Sequence, residues 1–193
     1  PTTLYGGSAC PEMHGKLLKP PACECAELTE NELVPGLEML RLDGHDMAQA
    51  VFGTPDGVGF TADAVISAGA LEKHRISFIY NIAQHLDSLE ALEKLRAGLY
   101  IPAHDEPCSD IRPLAAVNRA AVREVAGDIL EMCRTPQTID DLIARALEKY
   151  HLRLFLMQYL LVGQTVRSYV SWLLDSGELK AVYEGTRLYF SSD

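Results

Sequence analysis

The middle of the chain carries short apolar runs that are broken by turn residues. The runs at 37–42, 51–53, 57–61 and 99–102 stand beside Gly or Pro and are too short for helices, a pattern that favours strands. Residues 51–53 and 58–60 flank Thr54-Pro55-Asp56-Gly57, in which Pro fixes φ at the first corner of a turn and Gly accepts a positive φ. The pattern therefore predicts a β-hairpin at residues 51–60.

Residues 66–98 have a helical pattern. Asp87 with Glu90 three positions later resembles a capping box at a helix start, and Gly98 is a residue type that commonly follows a helix. The apolar stripe of this helix is formed at helical spacing by Leu86, Leu89, Leu92 and Leu95.

Beyond Pro107 and Pro113, which enclose a polar stretch, the helical pattern extends over longer segments. The spacing predicts a first helix at 114–133, a second that follows the capping residue Thr138, and a third at 155–176 that Gly163 could interrupt. Glu184-Gly185 then predicts a two-residue hairpin turn. Three helices followed by a hairpin is the arrangement of a winged helix.

The predicted fold class is α+β, with a domain boundary between residues 109 and 110. Residues 1–109 form the β-containing domain, in which residues 1–35 are rich in loops, and residues 110–193 form the winged-helix-like domain. A hydrophobic content of 48% supplies side chains for a core, and no apolar run reaches the length of a membrane span.

The charge is acidic and uneven. The net charge is −10, with 7 basic against 16 acidic side chains in residues 1–109 and 10 against 11 in residues 110–193. An acidic chain without a basic face is poorly suited to nucleic acid and better suited to cations. The third helix offers Gln164 and Arg167 and few other groups for bases or phosphates, so we expect a packing or dimerisation role instead of DNA binding.

The N-terminal residues and the cysteines bear on location. Residues 1–5 lack the basic and apolar regions of a signal peptide, and the first residue is not Met, which agrees with a processed or truncated chain. Five cysteines form no disulfide framework, so we expect a cytoplasmic protein without a membrane partner. The spacing of Cys10, His14, Cys23 and Cys25 does not match that of a zinc knot, which we therefore do not favour.

Three side chains of metal-ligand type follow directly on predicted strands. They are His45, Asp63 and His104. If the strands share one sheet and one direction, the three side chains gather at one edge of that sheet. Imidazole and carboxylate are ligands for zinc, iron and manganese, so the pattern predicts a metal site at these residues.

The motifs around these residues resemble the second half of a metallo-β-lactamase-fold hydrolase. That superfamily carries a Pro-Gly-His-Thr, a Gly-Asp-Ala and a Pro-Gly-His-Gly loop in this order. This chain has Gly44-His45, Thr61-Ala62-Asp63-Ala64 and Pro102-Ala103-His104-Asp105. The departures from the superfamily loops are Asp43, Asp46, Ala103 and Asp105. Residues 165–177 also resemble the last helix of winged-helix tails that follow some domains of this fold.

The resemblance implies half of an αββα sandwich and a two-metal site. It makes His45 a ligand of one metal, His104 a ligand of the other, and Asp63 the bridging carboxylate and catalytic residue. Zinc is the expected metal, with iron or manganese as alternatives. Asp46 and Asp105 would accept hydrogen bonds from the two ligand imidazoles.

One part of the superfamily pattern is absent from this sequence. The first half of such hydrolases carries a His-x-His-x-Asp-His motif, and the six His of this chain, at 14, 45, 74, 85, 104 and 151, form no such motif. Three ligands cannot fill two metal shells, so we expect the isolated chain to be inactive, with an incomplete metal site or none. A separate partner chain, a fragment or a degenerate member would each explain the difference.

The implied function is part of a metal-dependent hydrolase that activates water for attack on a small-molecule substrate. Two alternatives stay open: a non-catalytic winged-helix interaction or regulatory protein with a decayed hydrolase domain, and a one-metal site of His45, Asp63 and His104. In the complete fold two β halves pack face to face, so a lone half exposes an apolar sheet. We therefore expect a homodimer or pairing with the missing N-terminal half.

Overall fold

The computed structural model describes residues 36–192, together with the backbone of residues 3–6 and 24–27. The strands of the described residues are β1 (Thr3–Gly6), β2 (Glu24–Glu27), β3 (Glu38–Arg41), β4 (Ala50–Gly53), β5 (Val58–Ala62), β6 (Leu99–Pro102), β7 (Lys180–Glu184) and β8 (Arg187–Ser191). The helices are α1 (Ala68–His74), α2 (Ile82–Lys94), α3 (Arg112–Met132), α4 (Ile139–Lys149) and α5 (Leu156–Asp175). The zinc-knot candidates Cys10, His14, Cys23 and Cys25 lie outside the described side chains.

The central sheet has the strand order β3-β4-β5-β6. β4 is antiparallel to both β3 and β5, and β5 is parallel to β6. β3, β5 and β6 therefore run in one direction and end at the same edge of the sheet. The predicted hairpin is confirmed: Gly57 has φ +84°, and the Thr54 N–H donates to the Val58 carbonyl at 2.9 Å across the turn.

The helical stretch after β5 is divided, and its predicted start at Asp87 is wrong. α1 ends before Arg75, and an irregular segment leads to α2, which begins at Ile82. Asn81 caps α2, because its side chain accepts the Gln84 N–H at 3.0 Å. The earlier cap leaves Asp87 inside the helix.

Three glycines have roles that differ from those predicted. Gly98 does not end α2; its N–H donates to the Gly57 carbonyl at 2.8 Å, beside the β4–β5 turn. Gly163 does not interrupt α5, which is continuous from Leu156 to Asp175. The last hairpin turns at Gly185-Thr186, one residue later than predicted, because Glu184 pairs with Arg187.

The helical part of the chain begins with Pro113 in the first turn of α3, where a missing N–H costs little. The predicted cap of α4 is confirmed, since the Thr138 side chain accepts the Asp141 N–H at 3.2 Å and Asp141 accepts the Thr138 N–H at 3.1 Å. β7 and β8 form an antiparallel hairpin after α5. None of the described helices combines the length and apolar composition needed to cross a membrane.

Two hydrophobic clusters form the core of the described residues. The smaller one joins the central sheet to α2 and also includes Ile111 and Ala115 from the start of the helical part. The larger one joins α3, α4 and α5 and also includes Ile76, Ile79 and Ile82 from the segment that leads into α2. Each cluster therefore draws residues from both sides of the 109/110 boundary.

Candidate metal centre

His45, Asp63 and His104 lie together at the edge where β3, β5 and β6 end. The two carboxylate oxygens of Asp63 face different imidazoles: Oδ1 lies 3.2 Å from His104 Nε2, and Oδ2 lies 3.9 Å from His45 Nε2. The shared direction of the three strands produces this arrangement, because it brings the loop after each strand to one edge. The ligand roles of these residues remain a prediction.

The loop of His45 is fixed by the backbone around Gly44. Gly44 has φ +122°, and a Cβ at this position would lie 2.2 Å from the backbone nitrogen of His85. The Gly44 carbonyl accepts the N–H groups of Tyr80 at 2.9 Å and Asn81 at 3.0 Å. The loop is therefore clamped against the start of α2, at a contact distance that only glycine permits.

The imidazole of His45 is mostly enclosed. Its side chain is 20% exposed, and the ring meets Phe78 edge to face with centroids 5.7 Å apart. The Nδ1 atom is buried and has no hydrogen-bond partner among the described residues. The predicted acceptor Asp46 does not serve it; Asp46 Oδ1 accepts the Ala48 N–H at 2.7 Å instead.

The acidic residue before Gly44 has local partners of its own. Asp43 Oδ1 accepts from Arg41 Nε at 2.7 Å, and the Asp43 carbonyl accepts from the Ser88 hydroxyl at 2.6 Å. Asp43 and Asp46, which differ from the superfamily loop, thus accept hydrogen bonds that stabilise the turn.

The loop of Asp63 begins at an irregularity in the sheet. The register of β5 against β6 shifts between Phe60 and Ala62, and Ala62 has φ +47°. The Ala62 carbonyl accepts the Ala103 N–H at 3.1 Å, which ties the Asp63 loop to the His104 loop. A bulge of this kind re-aims the following side chain, here Asp63.

His104 is the most accessible of the three residues, with a side chain that is 73% exposed. The predicted acceptor Asp105 uses Oδ1 to accept the Glu106 N–H at 2.9 Å. His104 therefore projects from a turn that is ordered by local bonds, with Asp63 as its neighbour.

Polar residues on α3 and α5, which the sequence pattern did not single out, hold the loops around the site. Asn118 accepts the Ile66 N–H at 2.9 Å and donates to the Ile66 carbonyl at 2.8 Å. Thr165 and Ser168 of α5 accept the N–H groups of Ile79 at 3.1 Å and Ile82 at 2.9 Å. These two residues flank Tyr80 and Asn81, which donate to the Gly44 carbonyl. Their signal in the sequence is weak: each is a polar residue within an otherwise apolar helix face.

Two further described histidines are not among the predicted ligands. His85 is 2% exposed, and burial, with a smaller effect from His45, lowers its pKa to about 4. It is therefore a neutral packing residue at pH 7. His74 lies exposed at the end of α1.

The donor types suit zinc, iron or manganese, but the described residues do not complete a metal shell. No group of three His, Cys, Asp or Glu side chains within the described part of the chain is arranged to hold an ion. The Nδ1 atom of His45 and the hydroxyl of Thr61 are buried and lack hydrogen-bond partners among the same residues. Buried polar atoms without partners are costly, so a water molecule or a group outside the described residues would satisfy these two atoms.

No family model and no curated protein matches the sequence. Solved structures do match. The chain has a TM-score of 0.71 to a beta-lactamase domain protein from Burkholderia ambifaria, at 19% identity over 90% of this chain and 53% of that one. It has a TM-score of 0.69 to a metallo-beta-lactamase family protein from Thermus thermophilus, at 20% identity over 91% of this chain and 56% of that one.

The chain shares the metallo-β-lactamase fold, and the predicted mixture of helices and strands is confirmed. It spans about half the length of these two structures. At this identity the likeness concerns the fold, and the winged-helix assignment of residues 110–193 remains a prediction.

Proposed function

We propose that the chain is part of a metal-dependent hydrolase of the metallo-β-lactamase superfamily. One observation carries the proposal: Asp63 presents one carboxylate oxygen to each of two imidazoles, at 3.2 and 3.9 Å, where three strands of one direction end. A carboxylate with one oxygen toward each side is suited to bridging two ions. The rest of each metal shell would come from residues of the His-x-His-x-Asp-His type, which this sequence lacks.

In this proposal His45 and His104 would each contribute a metal ligand, and both would share the Asp63 carboxylate. Zinc is the proposed metal, and when bound it would supply Lewis acidity and lower the pKa of a bound water molecule to near neutrality. The ring of Phe78 packs against the His45 imidazole. This contact would fix the orientation of the imidazole and keep solvent from one face of the site. The exposed His104 side leaves room for a small-molecule substrate.

The sheet supports the idea that a second layer completes the fold. Met39, Phe52, Phe60 and Ile101 are cross-strand partners in one row over the four strands. This row lies on the face opposite the buried Val51 and Tyr100, and Phe60 is 43% exposed. An apolar row of this kind is suited to burial against another sheet, such as that of an N-terminal half. We propose that the isolated chain is inactive.

The second candidate is a non-catalytic interaction protein with a decayed hydrolase domain. The observation that favours it is the lack, among the described residues, of any group arranged to hold a metal ion. A one-metal site of His45, Asp63 and His104 is the third candidate, and the same observation weighs against it.

Zinc titration of the purified chain by calorimetry tests whether His45, Asp63 and His104 act as metal ligands. If they do, the wild type binds Zn²⁺, and His45→Ala and Asp63→Asn each weaken binding by more than about tenfold, since even loss of a supporting hydrogen bond to a ligand has such an effect. The control is His74→Ala, which removes an exposed imidazole that is not a predicted ligand and should leave binding unchanged. Equal binding in all four proteins would contradict the ligand assignment, and absence of binding in the wild type would mean that the site needs groups outside this chain or has decayed.

A further inference from the structure

The start of α5 carries a large apolar surface. The residues involved, called here the α5 tip, are Leu154, Phe155, Leu156, Met157, Tyr159, Leu160 and Leu161. Their exposed fractions run from 36% to 74%. Within α5, Leu156 with Leu160 and Met157 with Leu161 stand one turn apart and form adjacent ridges.

The size of this surface is that of an interface. Five of the seven side chains are Leu or Met, so we take roughly 150 Å² for each when fully exposed, the low end of the aromatic range, and the α5 tip then exposes on the order of 550 Å². That is at the upper end of the roughly 300–600 Å² of the largest apolar patch on a typical monomer, and patches of this size often mark interaction sites.

The α5 tip is also free of charge. No Asp, Glu, Lys or Arg occurs from residue 154 to residue 166, between Arg153 and Arg167. Two copies of a chain with net charge −10 repel each other, and an uncharged contact surface keeps acidic groups apart where the copies meet.

We propose that two copies of this chain associate through their α5 tips. A two-fold contact places the same surface of both copies face to face. The α5 tip is apolar throughout, so it is chemically matched to a second copy of itself. A membrane surface is a poorer occupant, because helices that lie on membranes present Lys and Arg on their polar face and this chain is acidic. The inference is independent of the proposed metal site and concerns a different surface from the sheet row that contains Phe60.

Light scattering on the full chain, over a range of concentrations, tests the proposal. We expect the wild type to be a dimer and the double variant Leu156→Glu, Leu160→Glu to be a monomer. Both positions are exposed, and Glu at 156, in the first turn of the helix, is favourable to its dipole. The variant should therefore keep its fold, which circular dichroism checks.

Two single variants are the controls. Tyr183→Glu changes an exposed aromatic residue on β7, and Phe60→Glu changes the exposed sheet row; both should remain dimers. The proposal is overturned if the wild type is a monomer, if the double variant stays dimeric, or if Phe60→Glu alone dissociates the dimer. A monomeric wild type that floats with phosphatidylcholine vesicles would assign the α5 tip to a membrane surface instead.

Discussion

At the residue scale, Gly44 shows how one backbone conformation positions a candidate metal ligand, His45. Its φ of +122° and the short approach to His85 exclude a Cβ, and its carbonyl receives two N–H groups from the segment before α2. The sequence shows the Gly-His pair, but not why Gly is needed. The reason lies in α2, which is distant in sequence and close in space.

Substitution Gly44→Ala should therefore destabilise the protein strongly. The new Cβ would meet the His85 nitrogen at 2.2 Å, and both are backbone-bound, so the loop or the helix must move. We expect a loss of at least about 2 kcal/mol in the free energy of unfolding, measured by urea denaturation. Gly127→Ala is the matched control: it lies inside α3 with no atom within 4 Å of the new Cβ, and should stabilise by about 0.5–1 kcal/mol. Equal effects of the two substitutions would contradict this account.

At the element scale, local signals were predictable and long-range ones were not. The Thr138 cap and the Pro55-Asp56-Gly57 turn depend on neighbours within four residues, and both are confirmed. The predicted start of α2 at Asp87 is wrong, because Asp87 and Glu90 match the sequence pattern of a capping box, whereas the Asn81 side chain accepts the Gln84 N–H. Asn118 of α3 is hydrogen-bonded to Ile66 in the loop after Asp63, 52 positions earlier in the chain. No local sequence pattern indicates this contact.

Asn118→Ala should loosen the loop that follows Asp63. The change removes the acceptor of the Ile66 N–H and the donor to the Ile66 carbonyl. We expect a loss of about 1–3 kcal/mol in stability and faster amide hydrogen exchange at Ile66. Val117→Ala, at an exposed neighbouring position of α3, should change neither quantity appreciably. Unchanged exchange at Ile66 in Asn118→Ala would mean that the loop is held by other contacts.

At the scale of the whole molecule, the two core clusters link the sheet part to the helical part. Ile76, Ile79 and Ile82 are buried with α3, α4 and α5, and each apolar side chain so buried contributes about 1.5–3 kcal/mol. The hydrogen bonds that Thr165 and Ser168 accept from the same segment add polar contacts across this junction. The boundary at 109/110 is a prediction from Pro107 and Pro113 in the sequence, whereas these contacts appear only in the fold.

The described part of the chain should therefore unfold in one cooperative transition. Trp172 is the single tryptophan and lies in α5, so its fluorescence reports on the helical part, while amide exchange of Val51 in β4 reports on the sheet. We expect urea unfolding by fluorescence and the free energy of exchange at Val51 to give the same stability, because loss of either part exposes residues of a shared core. Val166→Ala, at a fully buried position of α5, should lower both by the same amount. A fall in the fluorescence midpoint with unchanged exchange at Val51 would show that residues 1–109 and 110–193 are independent domains.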